Sequence, residues 1–303
     1  VAPIDLGDRE DEFLAPAVEA FTYDGALYGV PYTTENAAFV CNTDLLEMAD
    51  ADVPATWDDV TALSEALEAE SGGDVTAWAI QSNDPYHFHP LLTAFGGSIF
   101  GASETGYDPA DVGLDSEGGI AAGEWLQAMA EEGHITGSLD HDALHALFYE
   151  GAVACIGTDL RALEGIRESG INYVIGPYPE AAQPAAPFLS VHGFMVSAFS
   201  ENQAAAQAVL LDLVATEAFM TALYEADPRP SAYLAVRDAI DDPVVAGFAA
   251  AGANGQPMPA IPEMALVWEP LGSSEERIIT LESDGETAMT EAAEQIRAAI
   301  AGE

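Results

Sequence analysis

Short apolar runs bounded by turn residues recur between longer amphipathic segments. This alternation confines the chain to folds in which strands and helices interleave. AAFVCN (37–42), VTAWAIQ (75–81), GAVACIG (151–157) and INYVIGPYP (171–179) read as strands. VPATWDDVTALSEALEAESGG (53–73) between the first two reads as a helix. Thr56 is placed to cap it, Asp59 to complete a capping box, and SGG to end it. Thr43 is the expected cap of the shorter helix in TDLLEMAD. FTYDGALYGVPY (21–32) reads as a hairpin turning at Asp24-Gly25. Pro85 sits at the expected first position of a helix opened by SNDPYHFHPLL. Helices are also expected over 117–134, in DHDALHALFYEG, in TDLRALEGIRESG, as one long element over 202–226, and at the C-terminal end. GASETGYDPADVGLD (101–115) reads as a variable stretch, FLSVHGFMVSAFS (188–200) as a strand pair with a glycine bend, and MPAIPEMALVWEPLG (258–272) as a proline-studded bend. The class is α/β.

Charge narrows the setting. Fifty-two acids face seven bases, a formal net charge of -45, and all seven bases are arginine. The acids are scattered along the chain rather than gathered in a tail. At low ionic strength such a surface repels itself, whereas a Debye length of about 3 Å near molar salt screens it. The composition therefore suits concentrated salt and marks a halophilic, acidic protein. It opposes nucleic-acid binding, which needs a positive footprint, and a peripheral grip on anionic lipid. No run of about 18 apolar residues is present to span a bilayer.

Cys41 and Cys155 both lie in apolar strand-like runs, which reads first as two buried thiols and second as a bridge between neighbouring strands. No CxxC, HExxH, glycine-rich phosphate loop or nucleophile elbow occurs. His87 and His89 diverge if helical, and His141 and His145 share a helix face beside Asp142, a spacing that suits solvated histidines better than a metal site. No catalytic residue, metal or cofactor is expected.

The order of motifs resembles the solute-binding proteins of ABC sugar importers, in particular their maltose/maltodextrin-binding branch. The pieces are YDGALYGVPYTTENAAFVCNTDLL, PATWDDV, NDPYHFHPLL, GAVACIGTD, PFLSVHGFMVSAFS and GQPMPAIPEMALVW, which cover nearly the whole chain. The resemblance implies a two-lobed periplasmic-binding-protein-like fold of type II. A partial first lobe falls in 1–34 and 191–240, a second lobe in 35–190 and 241–303, and hinges fall near 31–35, 188–194 and 238–262. It implies that Val1 aligns inside the first lobe, so that an N-terminal segment of the family pattern is missing. It further implies an extracellular monomer, lipid-anchored through an upstream segment, that binds a carbohydrate between its lobes and delivers it to ABC permease membrane subunits.

The same resemblance assigns ligand contacts residue by residue. Glu35 would accept hydrogen bonds from sugar hydroxyls as part of the second lobe. Asp84 and Tyr86 would open a helix at the cleft, with Asp84 both capping and offering an oxygen to the ligand. Trp268 would stack on a sugar ring. The chain departs from the maltodextrin pattern at Leu160, where a second tryptophan is usual, and at Gly272, where an arginine is usual; Arg161 is a substitute polar contact. Tyr32, Tyr178 and His192 are further pocket residues, whereas Trp57, Trp78 and Trp125 read as packing. These departures favour a short oligosaccharide over a long α-glucan. The alternatives are a non-sugar solute such as a polyamine or metal chelate, and a glycoside-processing enzyme using Glu35 and Asp84 as a carboxylate pair.

Overall fold

The computed structural model describes residues 1–103, 106–135 and 137–302. Its strands are β1 (Thr22–Tyr23), β2 (Ala26–Leu27), β3 (Val30–Glu35), β4 (Ala38–Asn42), β5 (Thr76–Ala79), β6 (Phe100–Ser103), β7 (Gly106–Val112), β8 (Val153–Thr158), β9 (Tyr173–Gly176), β10 (Phe188–Phe194) and β11 (Gln256–Pro257). Its α-helices are α1 (Ala15–Glu19), α2 (Thr43–Met48), α3 (Trp57–Ser71), α4 (Pro85–Ala94), α5 (Glu117–Glu131), α6 (His141–Tyr149), α7 (Leu163–Ser169), α8 (Gln203–Val209), α9 (Glu217–Ala226), α10 (Leu234–Asp238), α11 (Pro243–Ala251), α12 (Trp268–Ile279) and α13 (Gly285–Ala301). The chain divides into two units, one of Val1–Asn36 with Phe188–Ala260, the other of Ala37–Pro187 with Ile261–Glu303. Residues 35–36, 188–190 and 241–260, read from sequence as second-lobe, fall in the first of these.

The first unit is built on the sheet β11-β10-β3. β3 and β10 run antiparallel with Ser190 opposite Glu35, and the register slips between His192 and Gly193. The β1–β2 hairpin turns through Asp24 and Gly25, both at positive φ, as a tight two-residue hairpin requires. Phe13, Phe21, Val30, Val196, Val214, Met220 and Tyr233 form the core, with the Phe13 and Tyr233 rings edge to face at 5.1 Å. Arg9 donates to the carbonyls of Leu211 and Ala215. The mostly buried Arg237 donates through two nitrogens to Ser231 O, Ala249 O and Thr34 Oγ1.

The long helix expected over 202–226 is two helices. A π-turn at Leu210–Val214 and a break at Ala215–Thr216 bend the path by 79°. Thr216 restarts the chain as the cap of α9, accepting from Phe219 N–H. Nothing in the apolar run announces the break, because a threonine inside a helical pattern is tolerated and a threonine before one is a cap. FLSVHGFMVSAFS likewise gives one bulged strand, β10, rather than a pair.

The second unit carries the four-stranded sheet β5-β8-β4-β9. β4 is antiparallel to β8 and β9, and β5 is parallel to β8. Cys41 and Cys155 face each other across β4 and β8 and are joined as a disulfide, so the reading as free buried thiols is corrected. Trp57 and Trp78 are buried and meet at 4.9 Å, and Trp125 joins them at 4.8 Å from Trp57. Thr56 and Asp59 form the expected capping box at α3, with Thr56 N–H donating to Asp59 Oδ2 at 2.8 Å. The cap of α2 is Asn42 rather than Thr43, because the Asn42 side chain accepts from Asp44 N–H at 3.0 Å and Thr43 is already helical. The variable stretch forms the β6–β7 hairpin, of which residues 104 and 105 lie outside the described residues. The proline-studded bend is a 3-10 turn, Pro262–Leu266, followed at once by α12. Arg297 ties α13 to both oxygens of Asp115 and to Val112 O.

Candidate functional site

The second unit gathers five of the six expected ligand residues around the head of α4. Asn83 takes a left-handed conformation (φ 57°) that turns the chain into the helix. Asp84 caps it: Oδ1 accepts from Tyr86 N–H at 3.1 Å and His87 N–H at 3.4 Å, and Oδ2 lies 2.5 Å from His87 Nδ1. Burial works against the charge on Asp84, but His87 and the backbone N–H groups outweigh it and hold the carboxyl below its usual range. Both oxygens expected to reach a ligand are therefore already engaged by the protein. Tyr86, the second residue of α4, is half-buried with its ring 5.2 Å from that of His87.

α12 packs on this head. Trp268, half-buried, is its first residue. Gly272 follows one turn later, where a Cβ would stand 2.1 Å from Asn83 Oδ1 and 3.3 Å from Pro85 Cδ. Glycine leaves room there for the Asn83 side chain, which any larger residue would have to displace. Glu275 comes next on the same stripe, fully buried, and its Oε2 accepts from Asp84 N–H at 2.8 Å. Its Oε1 has no partner among the described residues. Burial, reinforced by the nearby Asp84 and Glu276 charges, raises its pKa well above that of an ordinary glutamate.

Arg161 follows β8 in a 3-10 turn capped by Asp159. Its Nε and Nη2 both bond Asp159, yet 86% of its side chain is exposed against 19% for Asp159. Asp159 chiefly stabilises the Arg161 charge, with smaller contributions from Tyr86 and Asp84, which places these four groups within electrostatic reach of one another. Tyr178 belongs to the same neighbourhood, but it is buried rather than lining an open pocket. Its hydroxyl lies against Gly157, where a Cβ would come within 2.2 Å, and its ring packs 5.7 Å from Phe39. Burial, then the charges of Tyr86, Asp84 and Asp159, push its pKa well above 10.

Glu35, the sixth expected residue, belongs to the first unit. It is an ion-paired carboxylate, bonded to Arg229 Nη1 and 3.4 Å from His192 Nε2. Arg229 Nε also reaches Asp227 at 2.8 Å. Beside this cluster Tyr32, Phe194, Met220, Tyr224 and Arg229 line a cavity of about 160 Å³.

Among the described residues no group of three or more His, Cys, Asp or Glu side chains is placed to hold a metal ion. His141 and His145 stack at 4.1 Å, and both nitrogens of His145 are engaged, by His141 O and Thr158 Oγ1. Sequence reasoning missed Glu275 and weighed His87 only as a metal ligand. The histidine carried a legible signal, lying three residues after a capping aspartate. Glu275, inside SSEERII, carried none that set it apart from other acids.

Residues 2–251 match the family model described as bacterial extracellular solute-binding protein. A galactooligosaccharide-binding protein of Bacillus subtilis strain 168 is 28% identical over 306 residues, covering 97% of this chain and 70% of its own length. A maltodextrin-binding protein of the same organism is 28% identical, covering 87% of this chain and 63% of its own length. A maltooligosaccharide ABC transporter solute-binding lipoprotein of Streptococcus pneumoniae R6 is 25% identical, covering 91% and 66%. The chain thus spans about two thirds of the length of these relatives. A crystal structure of a cyclo/maltodextrin-binding protein complexed with maltotetraose superposes with a TM-score of 0.88 at 26% identity, covering 99% of this chain and 78% of that one.

Proposed function

As the chain belongs to the bacterial extracellular solute-binding protein family, we propose that it is the substrate-binding component of an ABC importer for a sugar or short oligosaccharide. The observation that carries this reading is the junction of α4 and α12. Two aromatic side chains, Tyr86 and Trp268, stand on helices locked together through Gly272 and Glu275. A pyranose presents an apolar C–H face to an aromatic ring and hydroxyls to polar groups around it. Tyr86 contributes a phenolic hydroxyl and Arg161 an exposed guanidinium within the same neighbourhood. Asp84 and Tyr178 act chiefly by holding this surface and its neighbour strands in shape, whereas Glu35 is ion-paired with Arg229 in the first unit. The names of the relatives, which bind galactooligosaccharide, maltodextrin and maltooligosaccharide, point to the same ligand class.

The protein works outside the cytoplasm and hands its ligand to a membrane permease whose ATPase acts inside; it performs no chemistry itself. Its charge of -45 fits it to concentrated salt. The test is calorimetric titration in high salt with maltotriose, maltotetraose and β-galactotriose, with spermidine as the non-sugar control. Binding of one of the three glycans, weakened by about 2 kcal/mol or more in Trp268→Ala, is expected. Binding of spermidine alone would replace the sugar reading, and an unchanged affinity in Trp268→Ala would remove that ring from the site.

A further inference from the structure

A fully buried carboxyl with one oxygen unpaired is a costly thing to keep, and Glu275 is placed where it serves the binding surface without touching it. It lies seven residues after Trp268, and Gly272 lies between them, so the three positions fall on one stripe of α12. That stripe meets the turn that starts α4 at two points. Gly272 lets the helix backbone close on Asn83, and Glu275 Oε2 takes the Asp84 N–H at 2.8 Å. Asp84 in turn fixes the N–H groups of Tyr86 and His87 and the ring of His87. A continuous chain of contacts therefore runs from the helix that carries Trp268 to the helix that carries Tyr86, and Glu275 is a hydrogen-bonded link between the two.

We infer that Glu275 is the positioning residue of the binding site, setting the separation and facing of Trp268 and Tyr86 by holding the Asp84 amide. The inference rests on the sugar reading given above. Glu275 works as a neutral acid. Burial favours the protonated form, and the charges that face it, Asp84 from the head of α4 and Glu276 from its own helix, are both negative. A neutral carboxyl still accepts the Asp84 N–H and adds no third charge to this crowded corner. An aromatic platform displaced by a fraction of an ångström loses contact with a rigid sugar ring, so a link remote from the ligand governs affinity.

The inference separates three variants. Glu275→Gln keeps a neutral acceptor of the same shape, and Glu275→Leu keeps the volume and removes the acceptor. Trp268→Ala removes the platform being positioned. Calorimetry with the best-bound of maltotriose, maltotetraose and β-galactotriose should show Glu275→Gln within about twofold of the parent and Glu275→Leu weaker by about tenfold. In the Trp268→Ala background the Leu change should cost less than about twofold, because its effect is exerted through that ring. Near-ultraviolet circular dichroism reports whether Glu275→Leu remains folded, and Glu275→Gln carries the test if it does not. Hydrogen exchange at the Asp84 amide gives an arm independent of any sugar. Protection should be alike in the parent and Glu275→Gln, and at least about tenfold lower in Glu275→Leu. Parent-like affinity in Glu275→Leu, a tenfold loss in Glu275→Gln, or an equally protected Asp84 amide in all three proteins overturns the inference. Absence of glycan binding by the parent sinks the sugar reading instead, while the exchange arm still decides whether Glu275 holds the amide.

Discussion

Reducing the bridge between Cys41 and Cys155 should cost the second unit a large part of its stability. The two residues are separated by 114 positions, and they sit opposite each other on adjacent strands in the middle of its sheet. In the chain-entropy account, opening a loop of that length frees about 5 kcal/mol of unfolded-state entropy. Real bridges deliver between about 2 and 5 kcal/mol. For a unit of this size each kcal/mol moves the midpoint by roughly 2–4 °C, so a fall of about 5–20 °C is expected. Both cysteines are fully buried, so dithiothreitol should leave the native protein untouched and act only on the unfolded chain. The assay is urea unfolding in high salt, with and without dithiothreitol after a cycle of complete unfolding, read by tryptophan fluorescence. Thiol titration of the unfolded, unreduced chain should find no reactive group. Two reactive thiols there would refute the bridge itself. A reduced chain within about 0.5 kcal/mol of the oxidised one would refute the entropic reasoning and indicate an unfolded state already compact around β4 and β8.

Gly272→Ala puts a methyl group 2.1 Å from Asn83 Oδ1 and 3.3 Å from Pro85 Cδ, so the exposed Asn83 side chain must turn away from α12; a loss of no more than about 1 kcal/mol in stability and a weaker glycan affinity are expected from unfolding curves and calorimetry. Glu275 has its folded pKa raised above the ordinary value, so its contribution to stability is complete below about 4.5 and is lost as pH rises through the raised value. Glu275→Gln should remove that slope, and its unfolding free energy relative to the parent should grow with pH; parallel profiles would contradict the buried neutral acid. Lowering ionic strength from molar to about 0.1 M lengthens the screening distance from about 3 to 10 Å, and the melting temperature should fall steadily across that range. A melting temperature independent of salt would remove the high-salt reading.

Local chemistry was readable wherever one residue decides one piece of geometry. The Thr56–Asp59 capping box, the Asp24-Gly25 turn and the Pro85 start of α4 are set by side chains within four residues of what they control. The class and the family followed from the order of such elements. What stayed hidden depends on partners far along the chain. The bridge of Cys41 needs the register of β4 on β8, and the ion pair of Glu35 needs Arg229, which lies 194 positions away. Glu275 shows the same limit inside the site, since its partner is 191 residues upstream. The π-turn at Leu210–Val214 was hidden for another reason: three of its five residues are leucine, a good helix former, and nothing in the run marks an altered turn.

The arginines described above also explain what kind of cation this chain tolerates. Arg161, Arg229, Arg237 and Arg297 each hold their acceptors through two separate nitrogens of one planar group. An ammonium group is a single point on a flexible stem and cannot span two such acceptors at once. Replacing these arginines with lysine would therefore loosen turns and helix ends while leaving the net charge unchanged. An engineer wanting a less acidic protein for dilute buffers should leave these positions alone and neutralise exposed carboxylates elsewhere, because Arg229, Arg237 and Arg297 fasten distant parts of the chain and Arg161 stands at the proposed binding surface.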